Sequence, residues 1–307
     1  MIFLIIGYIK EEQSHNKLFK GIEIKKYHNN YIIMIHNKHK IKTRRKLIKI
    51  AKKLKIDAIV FSKELEGDFK QDVLSMLKDS RMEILNGKYL MKLVQFDIVK
   101  YVLNKQNNNM RQEDIYVVLK KDEKLNLDFL KQFIENFRMV NIITNDVARF
   151  KNIQDNLLEN DGILISVSNN KRKALKRAKY ILNVNLSKDE LEKYKINRDA
   201  IIINIQENVK YDDSNFDGIN VNYFEIKVPD ELQEKFEKIG GNFDDAILYE
   251  SMLVSENIQK KKIEGATERI SKDDICITSL IGNNGIIRDE ELVKINKMNL
   301  DKMRKLV

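Results

Sequence analysis

The sequence predicts an α/β protein: a doubly wound parallel sheet preceded by a smaller α/β N-terminal domain. Three observations predict it. After residue 113, apolar runs of strand length alternate with segments of helical period. Those runs are apolar almost throughout, as strands covered on both faces must be. The charge is also unevenly spread. Residues 1–110 carry 23 Lys+Arg and 11 Asp+Glu, or +12, so the remainder carries −2 of the total +10. Such asymmetry marks two units with different surfaces. The expected domains are 1–110 and 111–307.

The first domain opens with "IFLIIGYI". This run lacks a preceding basic region and a small-residue cleavage site, so it reads as a buried strand rather than a leader or a membrane span. "IEIKKY" and "YIIMIHN", separated by "HNN", predict a hairpin. "TRRKLIKIAKKL" predicts a helix capped by Thr43, with Leu47, Ile48, Ala51 and Leu54 on one face. "DAIVFSK" is a short buried strand, "FKQDVLSMLKDS" a helix, "MEILNG" a strand and turn, and "LMKLVQFDIVKYVLNK" a longer helix. The polar, aperiodic segment 104–113 is the expected linker.

In the second domain "IYVVLK" predicts a strand that lies centrally, with "VNIITND" beside it. Between them "NLDFLKQFIENF" carries Leu127, Leu130, Phe133, Ile134 and Phe137 on one helical stripe. "VARFKNIQDNLLEND" is a helix stopped by Gly162. "ILISVS", "YILNVNL" and "AIIINI" are further strands. The short basic helix "NKRKALKRA" and the helix "SKDELEKY", with Ser187 and Glu190 as a capping box, fall between them. "INVNYFEIKV" reads as one strand. Pro229 starts a helix, and a long helix over "FDDAILYESMLVSENIQKKKIE" follows. These C-terminal helices are expected to pack back on the second domain.

The span from about 114 to 205 resembles the NAD(P)-binding Rossmann domains of the shikimate and alanine dehydrogenase kind. "VNIITND" resembles the strand that ends at the adenosine ribose, "NKRKALKRAKYILNVN" the helix and strand leading to the nicotinamide, and "AIIINI" the strand after it. The resemblance implies a Rossmann-like fold with ligands at the carboxyl ends of the strands. It departs at the phosphate loop, where the family has G-x-G-x-x-G. Between Gly87 and Gly162 there is no glycine, and Lys120, Lys121, Asp122, Glu123 and Lys124 occupy the loop. The loop reads as degenerate. The expectation is therefore no cofactor, with NAD or NADP as the alternative.

Five residues are candidates for ligand contact. Asp146 stands where the resemblance implies a ribose-binding acid, although capping of the next helix is the preferred reading. Asn183 and Asn185 end the fourth strand and either contact a ligand or form a turn. Ser168 and Asn169, with Asn170 beside them, either contact a ligand or cap the helix from Lys171. Asp244, Asp245, Tyr249 and Glu250 follow the Gly240–Gly241 pair. They either face a cleft or, by the preferred reading, belong to a glycine corner between two helices.

His15, His28, His36 and His39 show no metal-ligand spacing, and Cys276 is alone. A single cysteine permits no internal disulfide and fits a cytoplasmic protein. The stretch 38–55 has ten Lys/Arg and no acid. It could track a nucleic-acid backbone or meet an acidic protein, but a solvated outer face is preferred. The function expected is binding of a small ligand or protein partner in the interdomain cleft, without dehydrogenase activity. The alternatives are an active NAD(P)-dependent oxidoreductase with an unusual loop and a nucleic-acid-associated protein using helix 43–55.

Overall fold

The computed structural model describes residues 3–8, 22–27, 30–35, 41–65, 67–77, 82–120, 127–211, 214–239, 242–260 and 275–304. Lys121 to Lys124, Gly240, Gly241 and the four histidines lie outside them. The chain divides into two compact units, residues 1–90 with 226–276 and residues 91–225 with 277–307. These are drawn differently from the domains expected at 110/111. The Pro229-led helix and the long helix after it fall in the first unit, and the last helix in the second.

In the first unit, β1 (Phe3–Tyr8), β3 (Asn30–Ile35), β4 (Ala58–Phe61) and β5 (Glu83–Ile84) are parallel, in the order β3-β1-β4-β5. Strand β2 (Ile22–Tyr27) closes the edge as the antiparallel half of the expected hairpin. Helices α1 (Ile41–Lys53) and α2 (Asp68–Leu77) cover one face. There Leu47, Ala51 and Val73 pack on Leu4, Ile6, Ile33, Ile59 and Phe61. The opposite face of the strands, with Ile5, Ile32 and Val60, is buried too. Helices α9 (Asp230–Ile239) and α10 (Asp245–Lys260) belong to this unit.

Helix α3 (Lys88–Leu93) straddles the division, and α4 (Gln95–Lys105) lies in the second unit. This unit's sheet consists of β6 (Asp114–Val118), β7 (Met139–Ile143), β8 (Ser166–Ser168), β9 (Tyr180–Asn183), β10 (Ile201–Asn204) and β11 (Ile219–Val221). All six strands are parallel, in the order β11-β10-β9-β6-β7-β8. In chain order that is sixth-fifth-fourth-first-second-third, the order of a Rossmann-like doubly wound fold. Helices α5 (Leu127–Asn136) and α6 (Val147–Asp161) carry the chain one way from β6. The crossing to β9 runs through α7 (Lys171–Arg177), and α8 (Lys188–Leu191) follows. Right-handed crossovers then put the two sets of helices on opposite faces. On the α7–α8 face, Leu175 and Leu191 pack over Val118, Ile143, Ile181 and Ile202. Gly162 ends α6 in the left-handed region, at φ 66°, as its position predicts.

Two expectations are corrected here. "INVNYFEIKV" is two strands, because the chain breaks at Asn222. Its N–H donates to the Ile281 carbonyl at 2.8 Å, so the chain leaves the parallel sheet. β12 (Tyr223–Lys227) joins β13 (Cys276–Gly282) and β14 (Gly285–Ile287) in a small sheet that the sequence reading left unassigned. The segment 104–113, the expected linker, lies inside the second unit, with Asn104, Asn107, Asn109, Arg111 and Gln112 exposed but Gln106 buried. Gln106 is 4% exposed and donates through Nε2 to the Leu292 carbonyl at 2.8 Å, on α11 (Asp289–Arg304). Asn108 and Asn296 exchange side-chain hydrogen bonds at 3.0 Å. Polar composition misleads here because the buried polar groups satisfy one another.

Candidate functional site at the carboxyl edge of the six-stranded sheet

In doubly wound sheets ligands meet the carboxyl ends of the strands, where neighbouring strands send their connections in opposite directions. In the second unit that point lies between β6 and β9, where Val118 is level with Asn183. The Val184 N–H donates to the Val118 carbonyl at 2.9 Å, which holds the two strands together to their ends. Beyond them the Lys120 N–H donates to Asn185 Oδ1 at 2.8 Å. The Lys120 ammonium lies 2.9 Å from Glu190 Oε2. The same carboxylate accepts from the Ser187 N–H at 2.8 Å and the Ser187 hydroxyl at 3.0 Å. Partial burial pushes Glu190 up, but the bonds from Lys120 and Ser187 outweigh it and hold the carboxyl below its usual range. The bond to Glu190 raises Lys120.

A second group lies at the ends of β7 and β8. The Lys171 ammonium donates to Asn145 Oδ1, and Lys171 is 6% exposed. Burial lowers its pKa, while the nearby Glu190 charge works the other way. Glu190 thus pairs with Lys120, and its charge also favours the charged form of Lys171.

The five sequence candidates share this edge but differ in use. Asn183 is buried, and its side chain is spent internally. It accepts from the Leu186 N–H at 2.9 Å and donates to the Leu186 carbonyl at 2.9 Å and to Asn204 Oδ1 at 2.8 Å. Asn185 holds Lys120. Ser168 Oγ accepts from the Asn170 N–H at 3.0 Å, and the exposed Asn169 offers its carbonyl to the Lys171 N–H at 2.9 Å. The cap of α7 is Asn170, which accepts from the Lys173 N–H at 3.0 Å. Asp146 occupies the N-cap position of α6, but its carboxylate makes no capping hydrogen bond. Its N–H instead donates to Thr144 Oγ1 at 3.1 Å.

Sequence reasoning missed Asn145, Lys171, Asn204 and Asn222 as site-forming residues. An asparagine stands at the end of β9, at the end of β10 and just past β11. That recurrence was the available signal for the last two. Lys171 gave none, since nothing in "NKRKALKRA" separates a buried lysine from its exposed neighbours.

Elsewhere, Asp244 Oδ1 accepts from the Ala246 and Ile247 N–H groups at 2.9 and 3.3 Å and so caps α10, while Tyr249 and Glu250 are buried in the first unit. A cavity of about 140 Å³ between α5 and α6 is lined by Leu130, Ile134, Ile153 and Leu157. Among the described residues no group of His, Cys, Asp and Glu could hold a metal ion. Nor is any helix among them long and apolar enough to cross a membrane.

No protein-family model matches the chain, and no curated protein matches it. Among solved structures it is similar to a Trypanosoma cruzi crystal structure carrying the provisional name aspartate carbamoyltransferase. The identity is 14%, the match covers 65% of this chain and 69% of that one, and the TM-score is 0.23. A likeness of that size carries no functional argument, and the α/β class rests on the strand order itself.

Proposed function

We propose that the second unit is a Rossmann-like binding domain that takes a small polar ligand where β6 and β9 part, without dinucleotide binding or dehydrogenase activity. The observation that carries this reading is the Lys120 amide. It begins the turn that in glycine-rich loops faces the pyrophosphate, and here it is engaged by Asn185. Bare amides are what such a loop offers a diphosphate. Losing one such bond to a charged acceptor, at about 1.5–3 kcal/mol, weakens binding by about ten- to a hundredfold, since about 1.4 kcal/mol is tenfold. The single Cys276 supports a cytoplasmic location as part of the proposal.

The test is a thermal-shift and calorimetric titration of the full chain. NAD, NADH, NADP and NADPH at about 1 mM are expected to raise the melting temperature only marginally, while a panel of small amino, carboxylic and phosphorylated compounds contains at least one that raises it clearly. That rise should shrink in Lys120→Ala and Ser168→Ala. The strand order favours a second reading, an NAD(P)-dependent oxidoreductase with an unusual loop. A dissociation constant in the low micromolar range for any of the four nucleotides would reject the first reading and promote the second.

A further inference from the structure

Lys42, Arg45, Lys46, Lys49, Lys52 and Lys53 of α1 are all exposed. At about 100° per residue they fall within an arc of about 120°, and they run along about 16 Å of helix. No acid among the described residues pairs with them. Arg44 is the exception that defines the face. It points to the core side, where it pairs with Asp72 of α2 and lies 5.5 Å from the Phe69 ring centroid. The opposite face of α1 is committed to the core through Leu47, Ile48 and Ala51.

We propose that this face of α1 docks on the phosphate backbone of a duplex nucleic acid, without reading sequence. A band of cations that no described acid neutralises complements the rows of phosphates on a duplex. The face carries no aromatic side chain on which unpaired bases could stack, which disfavours a single strand. It carries no Asn or Gln to read adenine, and its one arginine is too little to specify a site. A membrane-binding amphipathic helix needs an apolar face free to enter the lipid. Here that face is already buried.

The experiment is fluorescence anisotropy of the full chain with a labelled random-sequence DNA duplex of about 20 base pairs, in KCl from about 50 to 300 mM. Affinity is expected to be weak and to fall with a log–log slope of about −3 to −5, as for four or five neutralised phosphates. Lys46→Glu with Lys49→Glu should weaken binding more than about tenfold and reduce the slope by about 2. Lys151→Glu with Lys176→Glu, the same change in net charge on exposed positions of the second unit, should change affinity less than about twofold. The neutral pair Lys46→Gln with Lys49→Gln, which adds no repulsion, should show an intermediate loss. Salt-insensitive affinity, equal losses in the two charge-reversal pairs, or adsorption to phosphatidylserine vesicles without duplex binding overturns the proposal.

Discussion

Asn183 Nδ2 donates to Asn204 Oδ1 across neighbouring strands at 2.8 Å, and both residues are buried. The bond is the first step of a ladder. Asn204 Nδ2 donates to Asn222 Oδ1 at 3.0 Å, and Asn222 Nδ2 to Asn283 Oδ1 at 2.7 Å. Asn222 also accepts from the Val209 N–H at 3.0 Å. Four amides thus tie the carboxyl ends of β9, β10 and β11 to the β13–β14 turn. Removing Asn204 takes one bond from Asn183 and one from Asn222, which keep the Leu186 carbonyl and the Val209 N–H, and leaves a cavity among buried polar groups. Asn204→Ala is therefore expected to destabilise the protein by about 2–4 kcal/mol in urea unfolding. A loss below about 1 kcal/mol would mean that water replaces the ladder.

Glu250 is 1% exposed, and the Leu90 N–H donates to its Oε2 at 3.3 Å. Burial raises its pKa to about 7, against the opposing pull of backbone bonds from Leu90, Asn86 and Tyr89. The folded value stands above the unfolded one. The stability it contributes is complete below about pH 4.5 and is lost as the pH rises through about 7. Glu250→Gln cannot ionise. Between about pH 4 and pH 8 the stability difference between variant and wild type should shift by about 3 kcal/mol in the variant's favour. Paired urea titrations across that range measure it, and a pH-independent difference rejects it.

The Tyr180 hydroxyl donates to Gln106 Oε1 at 2.6 Å and accepts from Asn108 Nδ2 at 2.7 Å. Tyr180 is fully buried, and burial raises its pKa. Tyr180→Phe keeps the ring and removes one bond from each partner, while Asn108 Nδ2 still reaches Asn296 Oδ1 at 3.0 Å and Gln106 Oε1 at 3.4 Å, so the expected cost is about 0.5–1.5 kcal/mol. Hydrogen exchange at 104–113 should accelerate with it. Unchanged protection there would show that α11 alone holds the segment.

Gly218 precedes β11, and a Cβ added to it would stand 2.1 Å from the Ala200 carbonyl oxygen and 2.5 Å from the Phe216 ring. Backbone cannot yield as a flexible side-chain end can. Gly218→Ala should cost about 1–3 kcal/mol or more, because β10 and β11 must part. Gly162→Ala meets no atom within 4 Å but keeps φ at 66°, so its cost should stay near 1 kcal/mol. Melting temperatures of the two variants in parallel separate crowding from backbone strain.

Hydrophobic period determined the alternation of strands and helices, because that depends only on which local segment can bury an apolar face. Strand order is not local, and the central place of Ile115–Val118 with Val140–Ile143 beside it follows from the Rossmann-like order, in which the first strand is central. The carboxyl-edge residues were legible as positions, since strand ends are visible in the pattern. Their roles were not. Whether Asn183 meets a ligand or another asparagine depends on β10 lying beside β9, and Asn204 is 21 residues away in the chain. Likewise nothing local told Lys171, 6% exposed, from its exposed neighbours, or set the buried Gln106 and its half-buried partner Asn108 apart from the rest of the segment. Tertiary structure decided these points because a polar side chain goes wherever its hydrogen bonds can be completed, and the completing partner is supplied by a distant part of the chain.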